Sequence, residues 1–405
     1  MDARGGPDLI DSLAAWKRLV VSLLVATVGG VALWSVVVVL PAVQAEFGTA
    51  RGGASLPYAA TMLSFAVGGV FMGRLADRHG VSVPVAIGAL ALGAGYVLAA
   101  LAPNLWVFVL VQGALIGFLG GSASFGPLVA DISHWFRRRR GIAMAICASG
   151  NYVAGTIWPP IIRYLVETVG WRHTYVLIGI AACLAMLPLA LLLRRKPPRD
   201  AQPDGQGSGA PAAPPIAPRR LQAILVVAGL TCCLAMAMPQ VHVVAYCGDL
   251  GYGLARGAEM LSLMLGAGVV SRLVSGWISD RIGGARTLLL GSVLQAATLA
   301  LYVPFDGLTS LYVVSFLFGL SQGGIVPSYA LIVRETLPAQ EAGARVGLVL
   351  MATIVGMAAG GWLSGFIFDL TGSYRAAFVN GIVWNLVNAA IAFWLVYGHR
   401  RPAAT

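Results

Sequence analysis

The chain has 405 residues, of which 58% are hydrophobic and only 11% are charged. Since a soluble protein averages about 25% charged residues, most of this surface is not suited to contact with water. The net charge of +11 would indicate nucleic-acid binding if a basic soluble domain were present, but the sequence contains none. The composition therefore indicates an integral membrane protein and argues against a nucleic-acid partner.

Twelve apolar runs have about the 20-residue length that crosses a hydrocarbon core of ~30 Å. They predict membrane helices at 19–40, 56–75, 81–102, 105–130, 141–165, 174–193, 221–246, 257–279, 285–304, 309–333, 343–368 and 376–397. The first run is too long for a signal-peptide core and lacks a small-residue cleavage site, so we expect it to be retained. The expected fold is an all-α membrane protein with two six-helix bundles, residues 19–193 and 221–397.

Three segments outside these runs are expected to lie in water. Residues 194–220 combine several basic residues with a Pro-, Gly- and Ala-rich composition that cannot form a core. We interpret this segment as a cytoplasmic linker that passively tethers the two bundles, with a regulatory role as the alternative. Residues 1–18 and 398–405 are expected to be cytoplasmic tails.

The orientation of the helices follows from the Lys and Arg residues of the loops, because these residues are retained on the cytoplasmic side. With the N-terminus inside, 21 Lys or Arg residues fall on the cytoplasmic side. The other side receives five, which are Arg51, Arg163, Arg172, Arg256 and Arg375. The sequence therefore predicts that both termini are cytoplasmic.

The pattern G-x-x-x-D-R-x-G occurs twice, and the two copies are displaced by 203 residues. The copies consist of Gly73, Asp77, Arg78 and Gly80, and of Gly276, Asp280, Arg281 and Gly283. Internal repeats are typical of membrane carriers, in which the substrate site lies at the repeat interface near the bilayer midplane. We therefore expect alternating access, with one half of the chain rocking against the other.

Acidic residues at two helix ends extend these loops into charged clusters, since Asp131 ends the fourth predicted helix and Glu335 ends the tenth. We expect one cluster of Asp77, Arg78 and Asp131, and a corresponding cluster of Asp280, Arg281 and Glu335. Partly exposed ion pairs contribute only about 1 kcal/mol each, which suits a gating latch that opens in every transport cycle. The alternative is a topological signal without a gating role.

Arg272 is the basic residue that lies deepest in the predicted membrane helices. It precedes Asp280 by eight residues, so a rise of about 1.5 Å per residue puts it about 12 Å into the membrane. An unpaired Arg there costs at least roughly 2.5 to 3.5 kcal/mol, and no Asp or Glu lies in a predicted helix centre. We predict that Arg272 binds an anionic substrate, since a guanidinium pairs with a carboxylate through two hydrogen bonds. The alternative is a structural Arg that snorkels or contacts backbone carbonyls.

Motifs for enzymatic or metal chemistry are absent from the sequence. The five cysteines fall in predicted helices without metal-ligand spacing, so we interpret them as small apolar residues. There is no Walker A loop, no H-E-x-x-H and no G-x-S-x-G motif. We therefore expect neither an ATP-driven pump nor a membrane enzyme, and neither a metal nor a cofactor.

The duplicated loops and the six-plus-six arrangement of helices resemble the major facilitator superfamily over nearly the whole chain. Within it, "WFRRRRGIAMAICASGNYVAG" at 135–155 is similar to the fifth-helix signature of the monocarboxylate transporter family and its bacterial oxalate-formate relatives. "HVVAYCGDLGY" at 242–252, followed by "SRLVSGWISDRIGG", resembles the same group. The resemblance implies a secondary carrier of small organic anions.

Several departures from the family pattern bear on ion coupling and on substrate charge. Ala42 follows Pro41 where the family has a lysine, and Gly268 stands where the animal members have an aspartate. The first helix also lacks the acidic residue of the family, so the animal mechanism of proton coupling is not implied. The oxalate-type carriers have a second cation in helix eleven that this chain lacks, and a single cation favours a monoanion.

In the family, helices one, four, seven and ten line the transport path. Residues of this chain at suitable depth are Trp34, Phe125, His242 and Tyr329, with Asn151 on helix five. Each is a candidate substrate contact, with ordinary packing as the alternative. The similar contexts "ASFGPL" and "VPSYAL" predict that Phe125 and Tyr329 form paired aromatic walls. His242 is a candidate proton site because histidine titrates near neutral pH.

The sequence thus predicts a secondary carrier of small monocarboxylates such as lactate or pyruvate, in a bacterial inner membrane and active as a monomer. Proton symport is favoured over organic anion exchange of the oxalate-formate type. Efflux of a larger amphipathic compound is the alternative within transport, although the central charge of Arg272 argues against it. The alternative outside transport is a membrane sensor that binds the same ligand without moving it.

Overall fold

The computed structural model of the chain describes residues 10–195, 217–336 and 339–398, and within these ranges no residue lies in a strand. The first range contains α1 (Leu13–Gly29), α2 (Val31–Phe47), α3 (Arg51–His79), α4 (Ser82–Ala100), α5 (Leu105–Val111), a π-helical segment (Gln112–Gly121), α6 (Gly126–Ser133), α7 (Arg140–Ala148) and α8 (Gly150–Leu192). The other ranges contain α9 (Pro218–Asp249), α10 (Leu254–Ile282), α11 (Gly284–Leu301), α12 (Leu308–Gln322), α13 (Ile325–Thr336), α14 (Ala339–Thr371) and α15 (Tyr374–Tyr397). The all-α class predicted from the sequence is confirmed.

Eleven helical segments of the described ranges are long and apolar enough to cross a membrane. One of them, Arg140–Leu192, has 53 residues, which is more than one crossing needs. Gly170 divides it, because a φ of 80° and a ψ of 161° leave the helical region. This break lies between the predicted helices 141–165 and 174–193. The multi-pass architecture is confirmed, and the count of twelve helices stays a prediction.

Contacts between residues divide the chain into two compact units. Unit 1 consists of Met1–Thr49 and Leu56–Gln206, and unit 2 consists of Ala50–Ser55 and Gly207–Thr405. The first residues of α3 therefore group with unit 2, although the predicted N-terminal bundle includes them. The bundle boundaries at 19–193 and 221–397, with six helices in each bundle, stay predictions.

Two predicted helix boundaries are corrected by the structure. α1 begins at Leu13, inside the predicted tail 1–18, because the Ser12 hydroxyl caps it by accepting a hydrogen bond from the Ala15 amide at 3.3 Å. α9 begins at Pro218, inside the predicted linker 194–220, with a proline in its first turn, where no amide hydrogen is needed. Residues 196–216 of that linker lie outside the described ranges, as do residues 1–9 and 399–405 of the two predicted tails.

Close contact between helix backbones holds the interior of unit 2 together. A Cβ atom on Gly356 or Gly360 of α14 would lie 2.3 Å or 2.2 Å from the carbonyl oxygens of Leu230 and Leu234 in α9. No side chain fits at such distances, so these glycines let the two helices approach each other directly. Because of this approach, side chains of α9 reach the backbone of α14, which matters for His242 below.

Candidate functional site

Arg272 lies in the interior of α10, about 15 Å from the helix end at Ile282 for a rise of about 1.5 Å per residue. α10 is one of the helices long and apolar enough to cross a membrane. The Arg272 side chain is half-buried, and its Nε lies 3.5 Å from the carbonyl oxygen of Gly323. Arg272 lies inside a long apolar helix, as expected, whereas its depth in a membrane and its contact with a substrate stay predictions.

The backbone of Ser271 and Arg272 packs against the break between α12 and α13, at Gly323 and Gly324. A Cβ atom on Gly323 would lie 2.6 Å from the Arg272 amide nitrogen, so only glycine permits this close approach of the two backbone segments. The Ser271 hydroxyl donates to the carbonyl oxygen of Leu320 at 2.6 Å and accepts from the Gly323 amide at 3.2 Å. These contacts fix the position from which the Arg272 side chain extends.

A pair of buried amides, Gln240 of α9 and Gln322 of α12, was missed in the sequence analysis. The Gln240 Nε2 donates to the Gln322 Oε1 at 2.5 Å, and both side chains are buried. Among the described residues, the Gln322 Nε2 has no hydrogen-bond partner, which is costly for a buried amide. Gln322 directly precedes Gly323, so this donor belongs to the same helix break as the Arg272 contact.

His242 of α9 is fully buried and hydrogen-bonded at both ring nitrogens. Its Nε2 lies 2.8 Å from the carbonyl oxygen of Gly361, which can only accept, so Nε2 carries the hydrogen of the neutral ring. Its Nδ1 lies 2.9 Å from the Tyr374 hydroxyl and therefore accepts from that hydroxyl. A second ring proton on Nδ1 would force the Tyr374 hydroxyl to turn away. The contacts therefore favour neutral His242 in this conformation.

Arg51, the first residue of α3, extends these contacts within unit 2. Its Nη1 donates to the Tyr374 oxygen at 2.8 Å, and its Nη1 and Nη2 each lie 3.1 Å from an Asp249 carboxylate oxygen. The backbone amides of Arg51 and Gly52 donate to the Asp369 carboxylate at 2.7 Å each. We call the connected residues Asp249, Arg51, Tyr374, His242 and Gly361 the Arg51–His242 network.

The internal repeat contains a signal for this network that the sequence analysis did not use. Asp249 follows Glu46 by 203 residues, which is the offset of the duplicated loops. In unit 1, the Glu46 carboxylate accepts from the Arg172 Nε at 2.7 Å and from the Trp171 indole. In unit 2, Asp249 binds Arg51 instead. The carboxylate is thus kept in both repeats, and in the second it belongs to a network that includes a histidine.

Tyr329 does not line an open surface of unit 2. Its side chain is completely buried, and its hydroxyl donates to the Asn388 Oδ1 at 2.7 Å. The Asn388 amide in turn donates to the Ser292 hydroxyl at 2.7 Å. Tyr329 of α13 is therefore linked directly to α15, and through Asn388 to α11. Phe125 is half-exposed, so the two side chains differ in burial, and their role as paired aromatic walls stays a prediction.

Three predicted residues of unit 1 do come together. The Trp34 indole nitrogen donates to Asn151, at 3.0 Å from its backbone oxygen and 3.2 Å from its Oδ1. Asn151 and Phe125 line the same small cavity, which holds only about 10 Å³ of free space. Since Trp34 uses the Oδ1 of Asn151, the amide nitrogen of Asn151 keeps its own donors. Trp34 is itself buried, and contact of the three residues with a substrate stays a prediction.

The two predicted gating clusters are arranged differently from the expectation. Asp131 is buried and binds Arg18 of α1, with Nε at 2.6 Å and Nη2 at 2.9 Å from its two oxygens. Asp77 and Arg78 are exposed at the end of α3. Arg18 was not predicted as this partner, because it precedes the first predicted helix, 19–40. Asp131 therefore binds Arg18 in this structure, and a gating cluster with Asp77 and Arg78 stays a prediction.

The corresponding loop of unit 2 is held by other contacts. The Glu335 carboxylate accepts from the Gly284 amide at 3.3 Å, at the start of α11. The Arg281 guanidinium lies 3.6 Å from the ring centre of Trp277, a cation–π contact. Asp280 is exposed, and Gly73 and Gly276 have no atoms close to the position of a Cβ. A gating role for these residues stays a prediction.

Asp131→Asn is expected to destabilise the protein strongly, because it leaves the buried Arg18 cation without its counter-charge. Breaking one partner of a buried ion pair costs about 3 to 5 kcal/mol. The matched control is Asp77→Asn, an exposed position at which a cost within about 0.5 kcal/mol is expected. Thermal unfolding of the purified proteins in detergent measures both effects. Equal melting temperatures for the two variants would show that the Arg18 contact does not stabilise unit 1.

Comparison with known proteins agrees with this architecture. The family model of the Major Facilitator Superfamily matches residues 22–344 and 260–405. Among solved structures, a bacterial homolog of the human lysosomal transporter Spinster has a TM-score of 0.76 at 14% identity, covering 93% of this chain and 96% of that chain. The nucleoside transporter NupG has a TM-score of 0.71 at 14% identity, covering 93% and 99%. At this identity the two structures support the fold alone.

Relatives of similar sequence indicate the family within this superfamily. Monocarboxylate transporter 13 of Bos taurus is 29% identical over 313 residues, which is 75% of this chain and 71% of the relative. Monocarboxylate transporter 11 of Mus musculus is 30% identical over 328 residues, covering 75% and 70%. The uncharacterized MFS-type transporter YcxA of Bacillus subtilis is 27% identical, covering 79% and 80%. The chain therefore belongs to the Major Facilitator Superfamily and, within it, to the monocarboxylate transporter family, whose members are membrane transporters and not enzymes.

Proposed function

We propose that this protein is a secondary transporter that moves small monocarboxylates such as lactate or pyruvate by alternating access. The proposal includes twelve membrane helices in two six-helix bundles, with both termini in the cytoplasm of a bacterial cell and with the monomer as the active form. The observation that carries it is the half-buried guanidinium of Arg272 inside the membrane-spanning helix α10. The names of the relatives support the same substrate class.

The chemistry of Arg272 suits a carboxylate. A planar guanidinium offers parallel N–H groups that match the two oxygens of a carboxylate, and charge-assisted bonds of this kind are about twice as strong as neutral ones. The amide nitrogen of Gln322 lies on the residue before Gly323 and supplies a neutral donor of the same helix break. In this proposal Arg272 binds the carboxylate, and Gln322 contacts a substrate oxygen. Trp34, Phe125 and Asn151 of unit 1 stay candidate substrate contacts in this proposal.

We further propose that His242 carries the coupled proton. In the observed conformation its Nδ1 accepts from Tyr374, and the Tyr374 oxygen accepts from the cation of Arg51. Protonation adds a positive charge beside Tyr374 and near the Arg51 cation, with the Asp249 and Asp369 carboxylates bound to Arg51. A protonated ring therefore opposes the Arg51–His242 network, and a neutral ring stabilises it. Proton binding and rearrangement of the network are coupled in this way.

The test is uptake of labelled lactate into proteoliposomes at equal and at unequal pH. With a more acidic outside, the wild type is expected to accumulate lactate above its external concentration, and a protonophore is expected to abolish the accumulation. Uptake that requires a preloaded internal anion and ignores the pH gradient would indicate anion exchange. Binding of lactate without any flux would indicate a sensor and contradict transport.

His242→Gln is expected to lose accumulation driven by the pH gradient while keeping exchange of labelled for unlabelled lactate at equal pH. Glutamine can still hydrogen-bond with Tyr374 and Gly361 but takes up no proton near neutral pH. The matched control is His134→Gln, at an exposed loop position, which is expected to accumulate lactate like the wild type. Accumulation by His242→Gln equal to that of the wild type would assign the proton to another group.

A further inference from the structure

A second cavity lies entirely within unit 1 and contains none of the residues assigned to the substrate. Its volume is about 310 Å³, and it is bounded by the start of α4, the end of α8, and the Arg18–Asp131 pair. The walls are fixed by polar contacts. The Arg18 Nη2 donates to the carbonyl oxygen of Leu193 at 3.2 Å, and the Ser82 hydroxyl donates to that of Ala190 at 2.6 Å. The cavity is therefore a formed feature of the packed helices α1, α4, α6 and α8.

One end of this cavity is cationic. Arg194, Arg195 and His79 line it and are exposed, whereas the charge of Arg18 is balanced by Asp131 at 2.6 Å. Within the described residues, Arg194 and Arg195 form no ion pair, so two positive charges are in excess. α4 begins here without a side-chain N-cap, which adds the positive end of its dipole. This end of the cavity favours an anion.

The other end of the cavity is apolar and faces outward. Val83, Ile87 and Leu90 of α4 line it, and their spacing places them along one face of the helix over about 10 Å. Together with Leu191 they are 36%, 37%, 56% and 55% exposed. Since α4 is long and apolar enough to cross a membrane, this exposed strip is suited to contact with lipid chains.

We propose that this cavity binds an anionic phospholipid, with its phosphate at Arg194 and Arg195 and one acyl chain along the α4 strip. A ligand that satisfies both ends must have a negative head joined to a hydrocarbon tail, and basic pockets between membrane helices are known to bind such headgroups. A soluble phosphate would leave the apolar strip uncovered. A zwitterionic lipid would cover the strip but would bring no net charge to the two arginines.

The test measures the lipid dependence of the melting temperature of the purified full-length protein in detergent. Dioleoyl phosphatidylglycerol is expected to stabilise the wild type, whereas dioleoyl phosphatidylcholine and glycerol 1-phosphate are expected to have little effect. In the double variant Arg194→Ala, Arg195→Ala, the phosphatidylglycerol concentration for half-maximal stabilisation should rise roughly tenfold or more. The matched control, Arg138→Ala with Arg139→Ala, removes two exposed arginines of the same unit outside the cavity and should respond like the wild type.

The apolar end is tested separately by Leu90→Asn, which keeps both arginines and should also weaken the response to phosphatidylglycerol. Native mass spectrometry of the same proteins counts the phosphatidylglycerol molecules retained and serves as a readout for any variant with an altered melting temperature. Equal responses of the two double variants would overturn the proposal. Stabilisation by glycerol 1-phosphate as strong as that by phosphatidylglycerol would overturn it as well, since the ligand would then be a free phosphate compound.

Discussion

Arg272→Ala is expected to reduce monocarboxylate uptake by at least roughly 30-fold, while the protein remains folded. Removing one partner of a desolvated, hydrogen-bonded charge pair costs about 2 to 5 kcal/mol, and about 1.4 kcal/mol corresponds to tenfold. Arg272→Lys should restore only part of the activity, because an ammonium is a point charge that does not match both carboxylate oxygens. Initial rates of labelled lactate uptake into proteoliposomes, at equal amounts of protein, measure the effect.

The matched control for this variant is Arg286→Ala, which removes an exposed arginine near the start of the neighbouring helix α11. It should transport lactate at close to the wild-type rate. Size-exclusion chromatography and thermal unfolding show whether each variant is folded. Wild-type rates in folded Arg272→Ala would contradict a direct role of Arg272 in binding and would support the structural alternative, in which it contacts backbone carbonyls such as that of Gly323.

Monocarboxylates are expected to be preferred over dicarboxylates of similar size by more than tenfold at neutral pH. One guanidinium neutralises one carboxylate, and a second carboxylate would enter the membrane interior without a partner, at a cost of several kcal/mol. A factor of ten requires only about 1.4 kcal/mol, so the preference survives even if water screens most of that cost. Competition of labelled lactate uptake by oxalate, malonate and succinate measures the preference.

The same experiment has an internal control, because protonation removes the second charge. As the pH falls, succinate and malonate should become better competitors, since each then carries one carboxylate and one neutral carboxyl group. Lactate analogues with a single carboxyl group should not gain in the same way over the same range. A fully ionised dicarboxylate that competes as well as the best monocarboxylate would show that a second cationic group contributes to the site.

The features that could be predicted from the sequence are those that depend on composition and local pattern. Apolar runs located the membrane helices, and the loop repeats identified the superfamily. The depth of Arg272 in α10 followed from its spacing to Asp280. The helix ends were less accurate, because the Ser12 cap and a proline at the start of α9 extend helices into segments whose composition is typical of tails and linkers.

The features that could not be predicted depend on contacts between residues far apart in the chain. Asp131 was expected to join the Asp77 loop, but burial of Arg18 within α1 gives it a partner 113 residues away. Tyr329 has the local context of Phe125, yet its hydrogen bond with Asn388 places it in the packed interior. The Arg51–His242 network joins four helices of the chain, and a single sequence does not show which of its polar residues meet.

The central claim is that the guanidinium of Arg272 binds the carboxylate of the substrate, and direct binding tests it most simply. Isothermal titration of the purified protein with lactate, and with its uncharged amide analogue lactamide, separates the charge contact from all others. The proposal predicts that Arg272→Gln weakens lactate binding at least tenfold, or about 1.4 kcal/mol, and leaves the weak binding of lactamide unchanged. Lactate binding of equal affinity to the wild type and to Arg272→Gln would contradict it.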